Sequence, residues 1–478
     1  MSEDGGVKIG KRTFLSAVII LGCLIIAAGV LTYLIPAGEF QREFVDGREI
    51  VVPGTFKYVE APGYPVWRWL TAPFEVLWGP DSLMIISIIL FILIIGGAFA
   101  VLDQTGVLAA GIKKMVAAVG GRKYLLLCLI TLFFMLFGSL LGILEEMVPL
   151  VPLAVALAWS LGWDSLTGLG MSLLATAFGF SAAIANPFTI GVAQRIAGLP
   201  PFSGAGYRAA VFFLVYIVLV IFLLVHAKRV EKNPRASLVW QEDAVARGGD
   251  AAEELQTVEV KRGPLLWFAC TLLAVLAVIV CASLIPGLSD YTMPLVALLF
   301  LVGGLGAGLL AGQGWGVLRA FGRGVLGILP GVILIMMAMS VKFIISQGGI
   351  IDTVLYYAAN AISRTSAAGA SLLTYAVVLV LNFFIGSATA KAFLVMPLIT
   401  PLADLVGITR QVAVLAFAFG DGFSNVLYPT NPILLIALGL TVVSYPKWFR
   451  WVIGLQLAVL ALTVLLLLAA VAINLGPF

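Results

Sequence analysis

The chain has 478 residues, 62% of them hydrophobic and only 11% charged, with a mean hydropathy of +1.11. That composition belongs to an integral membrane protein and leaves no separate soluble catalytic domain. The net charge of +4 is modest, and its basic residues sit at the edges of apolar runs rather than in a stripe, which argues against a nucleic-acid partner.

Lys8, Lys11 and Arg12 precede an apolar run from about Phe14 to Ile35. The run is too long for a signal-peptide core and lacks a clear cleavage site, so it reads as span 1 with a cytoplasmic N-terminus. The loop from Pro36 to Asp81 holds seven acids against Arg42, Arg48, Lys57 and Arg68, which fits the outside, with Trp67, Trp69 and Trp78 as interfacial anchors. Span 2, about Leu83 to Leu102, returns inside to an amphipathic surface segment from Gly106 to Lys123.

Tyr124 to Gly162 reads as a re-entrant hairpin with its tip at Gly138 to Glu146. A full crossing there would put the loop from Ala227 to Gly263, with seven Lys or Arg, on the wrong side. Span 3, about Ser165 to Ala197, is broken around Ser181 to Pro187, and span 4, about Tyr207 to His226, comes back in. Residues 227–263 read as a charged cytoplasmic linker, and span 5, about Pro264 to Leu284, has no repeat partner. Spans 6 (Pro294 to Ala311) and 7 (Gly327 to Ile345) flank Arg319 and Arg323. A surface segment from Gly349 to Ser366, a second hairpin from Ala368 to Gly407, a span 8 from Thr409 to Val443 broken around Ser424 to Pro432, and a span 9 from Trp451 to Ile473 follow.

The second half repeats the first. Ser139 to Pro149 is ten positions, as is Ser387 to Pro397, and Ser139 to Asn186 is 47 against 44 from Ser387 to Asn431. The expected fold is all-α, about nine transmembrane helices and two re-entrant hairpins in two inverted repeats. Its parts are 1–226, the linker 227–263, an extra span 264–290, and 291–478. Interrupted apolar segments at matching places in two halves point to a transporter's substrate site.

The candidate substrate-binding residues are Ser139, Glu145, Glu146, Asn186, Thr189, Ser387, Thr389, Lys391, Asn425, Thr430 and Asn431. Polar groups cost several kcal/mol in lipid unless paired, so two such clusters beside prolines belong to a cavity. Glu146, Ser181, Asp421 and Ser424 are candidates for cation coupling, and a sodium ion could sit near Ser139, Asn186, Ser387 and Asn431. Lys391 is the natural partner of Glu145 or Glu146, or an anchor for a substrate carboxylate. Asp164 and Asp404 read as caps or hinges, and His226 as interfacial. Cys23, Cys128, Cys270 and Cys281 lie in apolar runs without paired spacing and read as free core thiols; Gly304, Gly308 and Gly312 read as a close-packing face. One histidine and no HExxH exclude a zinc protease, and there is no P-loop or Gly-x-Ser-x-Gly elbow, so an enzyme is not expected.

Tyr33 to Phe40 (YLIPAGEF), the Glu145-Glu146 hairpin with Pro149, Asn186 to Gly204, and Pro401 to Asn425 resemble the YfcC-like branch of the C4-dicarboxylate anaerobic carrier family, within the ion transporter superfamily. The resemblance spans nearly the whole chain. It implies a nine-span, two-hairpin fold, a homodimer in the cell (inner) membrane, and a transport domain of hairpins and broken helices that slides against a scaffold. It also implies secondary transport of a carboxylate or amino acid, with the hairpin and Asn-Pro residues at the substrate and coupling-ion positions. The second hairpin departs from the family's usual Ser/Gly-rich tip, reading Ser387, Ala388, Thr389, Ala390, Lys391. The expected function is therefore secondary active transport of a C4-dicarboxylate or amino acid, proton- or sodium-coupled or by exchange. A basic amino acid antiporter of arginine/ornithine type is the alternative, and an ion channel or membrane-embedded enzyme is more remote.

Overall fold

The computed structural model describes residues 11–45, 48–119, 121–247, 262–285, 288 and 291–476. The chain is an all-α integral membrane protein. Ten of its described helices are long and apolar enough to cross a bilayer, and each matches an expected span or hairpin arm. The first part holds α1 (Lys11–Leu34), α2 (Trp67–Glu75), α3 (Ser82–Gln104) and α4 (Val107–Val119), the last on the expected surface segment. Between α1 and α2 lies a feature that sequence patterning did not reveal. Strands β1 (Gly38–Glu39) and β4 (Lys57–Tyr58) pair antiparallel, as do β2 (Arg42–Val45) and β3 (Arg48–Val51). Arg42 ties this cap to α-helical structure far along the chain through Asp352 Oδ2, 2.8 Å away.

The first hairpin is α5 (Lys123–Leu136), a π-helical turn (Phe137–Leu141), a 3-10 turn (Glu145–Leu150) and α6 (Val151–Ser160). Gly142 turns the tip in the left-handed region (φ 69°), where a Cβ would also run into Asn186. The expected interrupted helix follows as α7 (Ser165–Leu169), a π-turn (Gly170–Leu174) and α8 (Ala175–Ser181), then a non-helical stretch, a π-turn (Pro187–Gly191) and α9 (Val192–Ile196).

Next come α10 (Ala205–Lys232), α11 (Trp240–Ala246), α12 (Arg262–Leu284), α13 (Thr292–Leu310), α14 (Gly316–Gln347) and α15 (Ile351–Ile362). The second hairpin is α16 (Ala367–Phe384) and α17 (Ala388–Val406). The second interrupted helix is α18 (Arg410–Gly422), a 3-10 turn (Phe423–Val426) and α19 (Pro432–Gly439), and α20 (Tyr445–Ala472) closes the chain. Helices α1, α3, α12, α13 and α14 pack largely on one another, while the hairpins pack on the interrupted helices.

Several expectations need correction. Helix α14 begins well before Gly327, because nothing in Gly316 to Leu326, Arg319 and Arg323 included, breaks a helix. The region expected as a linker is structured through Arg247. α10 runs on to Lys232, and α11 docks through Asp243, which accepts from Ser165 N at 2.9 Å and from the Ser165 hydroxyl. Residues 248–261 lie outside the described residues. Gly304 and Gly308 do press against Ala98, Val101 and Val317, but Gly312 ends its helix at φ +85° with open space around it. Trp69 is buried against Gly29 rather than serving as an anchor, whereas Trp67 and Trp78 are exposed. The four thiols are free, but Cys23, Cys270 and Cys281 point outward, since an apolar helix offers no polarity signal for which side faces lipid.

Asp164 is a helix cap as expected, accepting from Thr167 N at 2.9 Å and Ser237 Oγ at 2.6 Å. His226 reaches it at 2.9 Å from Nε2 while its Nδ1 accepts from Trp451 Nε1, so Nε2 carries the donated proton. Burial pushes the Asp164 carboxyl up, but the His226, Ser237 and Thr167 donors outweigh it and hold the group at about 2. For Asp243 burial wins, and its carboxyl rises to about 6. A folded value above the unfolded one adds stability below about pH 4 that is lost as pH rises through about 6. Asp243→Asn is therefore expected to match wild type near pH 4 and to exceed it by about 1–2 kcal/mol near pH 8. Thermal melts of the purified protein across that range check this.

Candidate functional site

Each hairpin tip meets the interruption in its own half and that in the other half. In the first half, Ser139 Oγ donates to Ala182 O at 3.0 Å and accepts from Ile184 N at 3.0 Å, and Ser139 O accepts from Ala185 N. In the second, Thr430 Oγ1 donates to Phe383 O at 2.7 Å. Across the halves, Thr389 Oγ1 donates to Phe188 O at 3.2 Å, and Glu145 and Val148 line a narrow cleft with Pro432, Ile433 and Ile436. The interrupted helices cross at Gly422, where a Cβ would stand 2.2 Å from Ser181 Oγ. Phe178 and Phe423 meet edge to face beside that crossing. Freed backbone at two interruptions and two tips is thereby gathered in one place, where hydroxyls and carbonyls satisfy it.

Asn186 and Asn431 have the same local job. Each stands at the N-cap of a new helical turn with proline at the first position. Asn186 Oδ1 accepts from Phe188 N (2.9 Å) and Thr189 N (3.3 Å), and Asn431 Oδ1 accepts from Ile433 N (2.9 Å) and Leu434 N (3.4 Å). Asn caps well, and proline tolerates the first turn because it lacks a donor that the turn does not need. The prolines thus start the second half-helices, and the amide oxygens are occupied by capping. Asn186 Nδ2 donates weakly to Phe180 O (3.4 Å).

The second interruption holds a buried polar network. Lys391 Nζ, 0% exposed, lies 2.6 Å from Asp421 Oδ1, 1% exposed, and donates to Asn382 Oδ1. Asn382 Nδ2 donates to Ser424 Oγ (2.7 Å) and Asn425 Oδ1 (3.0 Å), and Asn431 Nδ2 donates to Asn425 Oδ1 (3.1 Å). The ion-pair partner of Lys391 is therefore Asp421, not Glu145 or Glu146, because the two side chains face each other between α17 and α18. Asn382 completes this network and was not among the expected site residues, although an Asn inside an apolar hairpin arm was visible in the sequence.

Glu145 and Glu146 begin the 3-10 turn of the first tip and are partly buried. Among the described residues neither carboxylate has an ion pair, and backbone N–H groups of the same turn are the donors to them. Thr189 Oγ1 is buried without a partner among the described residues, and Ser387 caps Ala390 N at 3.3 Å on a tip that remains reachable. Ser181 is turned back onto Ala177 O at 2.7 Å. Sequence reading also passed over Arg208. It is 2% exposed, donates from Nε and Nη2 to Ile184 O (3.1 and 2.8 Å) and from Nη1 to Ser203 O (2.6 Å), and has no carboxylate partner among the described residues. Its signal was faint, an arginine at the second position of the expected span 4.

The model of the C4-dicarboxylate anaerobic carrier family matches residues 14–472. The chain is 32% identical to the Escherichia coli (strain K12) protein named "Putative basic amino acid antiporter YfcC", over 90% of this chain and 91% of that one. It is 23% identical to an uncharacterized protein of Haemophilus influenzae over 98% and 99% of the two chains. Among solved structures it is similar to the YdaH transporter of Alcanivorax borkumensis (TM-score 0.43, 18% identity, 97% of this chain and 100% of that one). It is also similar to MtrF of Neisseria gonorrhoeae (TM-score 0.42, 17% identity, 98% and 97%). With its whole membrane portion matched, this chain belongs to the C4-dicarboxylate anaerobic carrier family, a family of membrane transporters.

Proposed function

We propose that the protein is a secondary active exchanger of amino acids whose cargo carries a cationic group. The observation that carries this reading is the charge balance of the gathered tips. Lys391 is neutralised by Asp421, whereas Glu145 and Glu146 have no cationic partner among the described residues. Two adjacent, partly buried carboxylates resist full ionisation unless a cation joins them, and an intramembrane acid is costly enough to be retained for use. A guanidinium or ammonium group of the cargo supplies that cation. Its own carboxylate and α-amino groups would meet the neutral donors and acceptors of Thr189, Ser387, Thr389 and Thr430. The name of the Escherichia coli relative agrees with this choice. The family's description favours a C4-dicarboxylate instead, which remains the second reading and would need a free positive charge at the tips.

In this reading the hairpins and interrupted helices form a transport unit that moves as an elevator against α1, α3, α12, α13 and α14, with the halves 1–226 and 291–478 inverted in the bilayer. The scaffold would pair with a second copy in the cell (inner) membrane, N-terminus cytoplasmic. Proteoliposomes loaded with unlabelled arginine are expected to take up labelled arginine by counterflow, and those loaded with succinate not to take up labelled succinate. Glu145→Gln and Glu146→Gln should each lower the arginine rate by about tenfold or more, the loss of roughly 1.4 kcal/mol of binding. Succinate counterflow with arginine inert would instead establish the dicarboxylate reading.

A further inference from the structure

The polar network at the second interruption has no copy in the first. With Ser139 set against Ser387, Phe134 stands opposite Asn382 and Ile143 opposite Lys391. With Gly179-Phe180-Ser181 set against Gly422-Phe423-Ser424, Phe178 stands opposite Asp421 and Ala182 opposite Asn425. Four polar residues in one half thus face four apolar ones in the other. An ion pair and hydrogen bonds join the four directly, so they form one unit.

At its centre is an ammonium. Lys391 Nζ rests against one carboxylate oxygen and one amide oxygen, with Ser424 Oγ and Asn425 Oδ1 joined through Asn382. A carboxylate, amide oxygens and a hydroxyl at the interruption of a membrane helix are the hard oxygen donors that hold an alkali cation. Here a positive charge on a covalent stem holds the carboxylate and the Asn382 amide oxygen, and the hydroxyl and the Asn425 oxygen lie one residue further out, on Asn382 Nδ2. Asp421 Oδ2 is buried with no hydrogen-bond donor among the described residues, which leaves the Lys391 ammonium to offset the carboxylate charge.

Resting on the transport reading above, we propose that the Lys391 ammonium is a tethered cation filling the alkali-cation position of the second interruption, so that the protein works without sodium there. The side chain serves neither as a substrate anchor nor as a partner of the first tip's glutamates. Taking Lys391 away while keeping Asp421 would open that position to sodium.

The test uses the purified full chain in sodium-free choline chloride, titrated with sodium chloride or potassium chloride, reading Tm and the binding of radiolabelled sodium. Wild type is expected to show no saturable sodium-specific rise in Tm and no saturable sodium binding. Lys391→Ala is expected to melt lower in choline and to recover by about 3 °C or more in sodium, saturably. Lys391→Ala combined with Asp421→Asn should lose that response. Purification of Lys391→Ala only in the presence of sodium would also support the proposal. Saturable sodium binding by wild type that Asp421→Asn abolishes would overturn it, and so would a Lys391→Ala variant that melts identically in sodium and choline. The wild-type arm needs no variant to fold, and neither readout needs a cargo. Absence of amino acid counterflow would count against the transport reading alone.

Discussion

Lys391→Met and Asp421→Asn are each expected to destabilise the protein by about 3–5 kcal/mol in choline medium, since either leaves a charge buried without its partner. Both groups are at most 1% exposed and 2.6 Å apart. The double variant Lys391→Met/Asp421→Asn should recover most of that loss, because two neutral side chains of similar size carry no desolvation penalty for charge. Denaturation midpoints of the three variants and wild type form the cycle. Losses that simply add would mean that the two groups do not act together, and the network would then be a set of unrelated helix contacts.

Gly179→Ala is expected to be nearly as damaging, for a steric reason. A Cβ at Gly179 would stand 1.9 Å from Met135 O, and one at Gly138 would stand 2.2 Å from Thr176 O. Both obstacles are backbone, so no rotamer change relieves them, and α5 would have to part from α8. The crossing that seats the first hairpin on the first interruption depends on these two glycines. A cost of about 3 kcal/mol or more is expected, read as loss of monodisperse protein on size-exclusion chromatography. Gly454→Ala, exposed on α20 with nothing within 4 Å, serves as the control and should change stability by less than about 1 kcal/mol.

Much of the architecture was legible because membranes make polarity expensive. Prolines 187 and 432 and the paired spacings from Ser139 and Ser387 marked both hairpins and both interruptions. Partners were less legible than places. On sequence evidence Lys391 suits Glu145 or Glu146 or a substrate carboxylate, and only the packing of α17 on α18 reveals Asp421 as its partner. Asn186 and Asn431 suit ligand contact by their place beside the breaks, yet an Asn directly before proline is also an N-cap signature, and that is how the oxygens are used. The strands between Gly38 and Tyr58 are two to four residues long, too short for an alternating pattern to stand out. Arg208 was hidden by its closeness to a span edge, where arginines are ordinary.

The glutamates at the first tip remain the feature on which the choice of cargo turns. Melting of the purified chain with increasing L-arginine or succinate tests it most directly. Arginine should raise Tm saturably in wild type and leave the Glu145→Gln/Glu146→Gln variant unmoved, while succinate moves neither. A succinate-dependent rise that survives the glutamate substitutions, with arginine inert, would contradict the assignment.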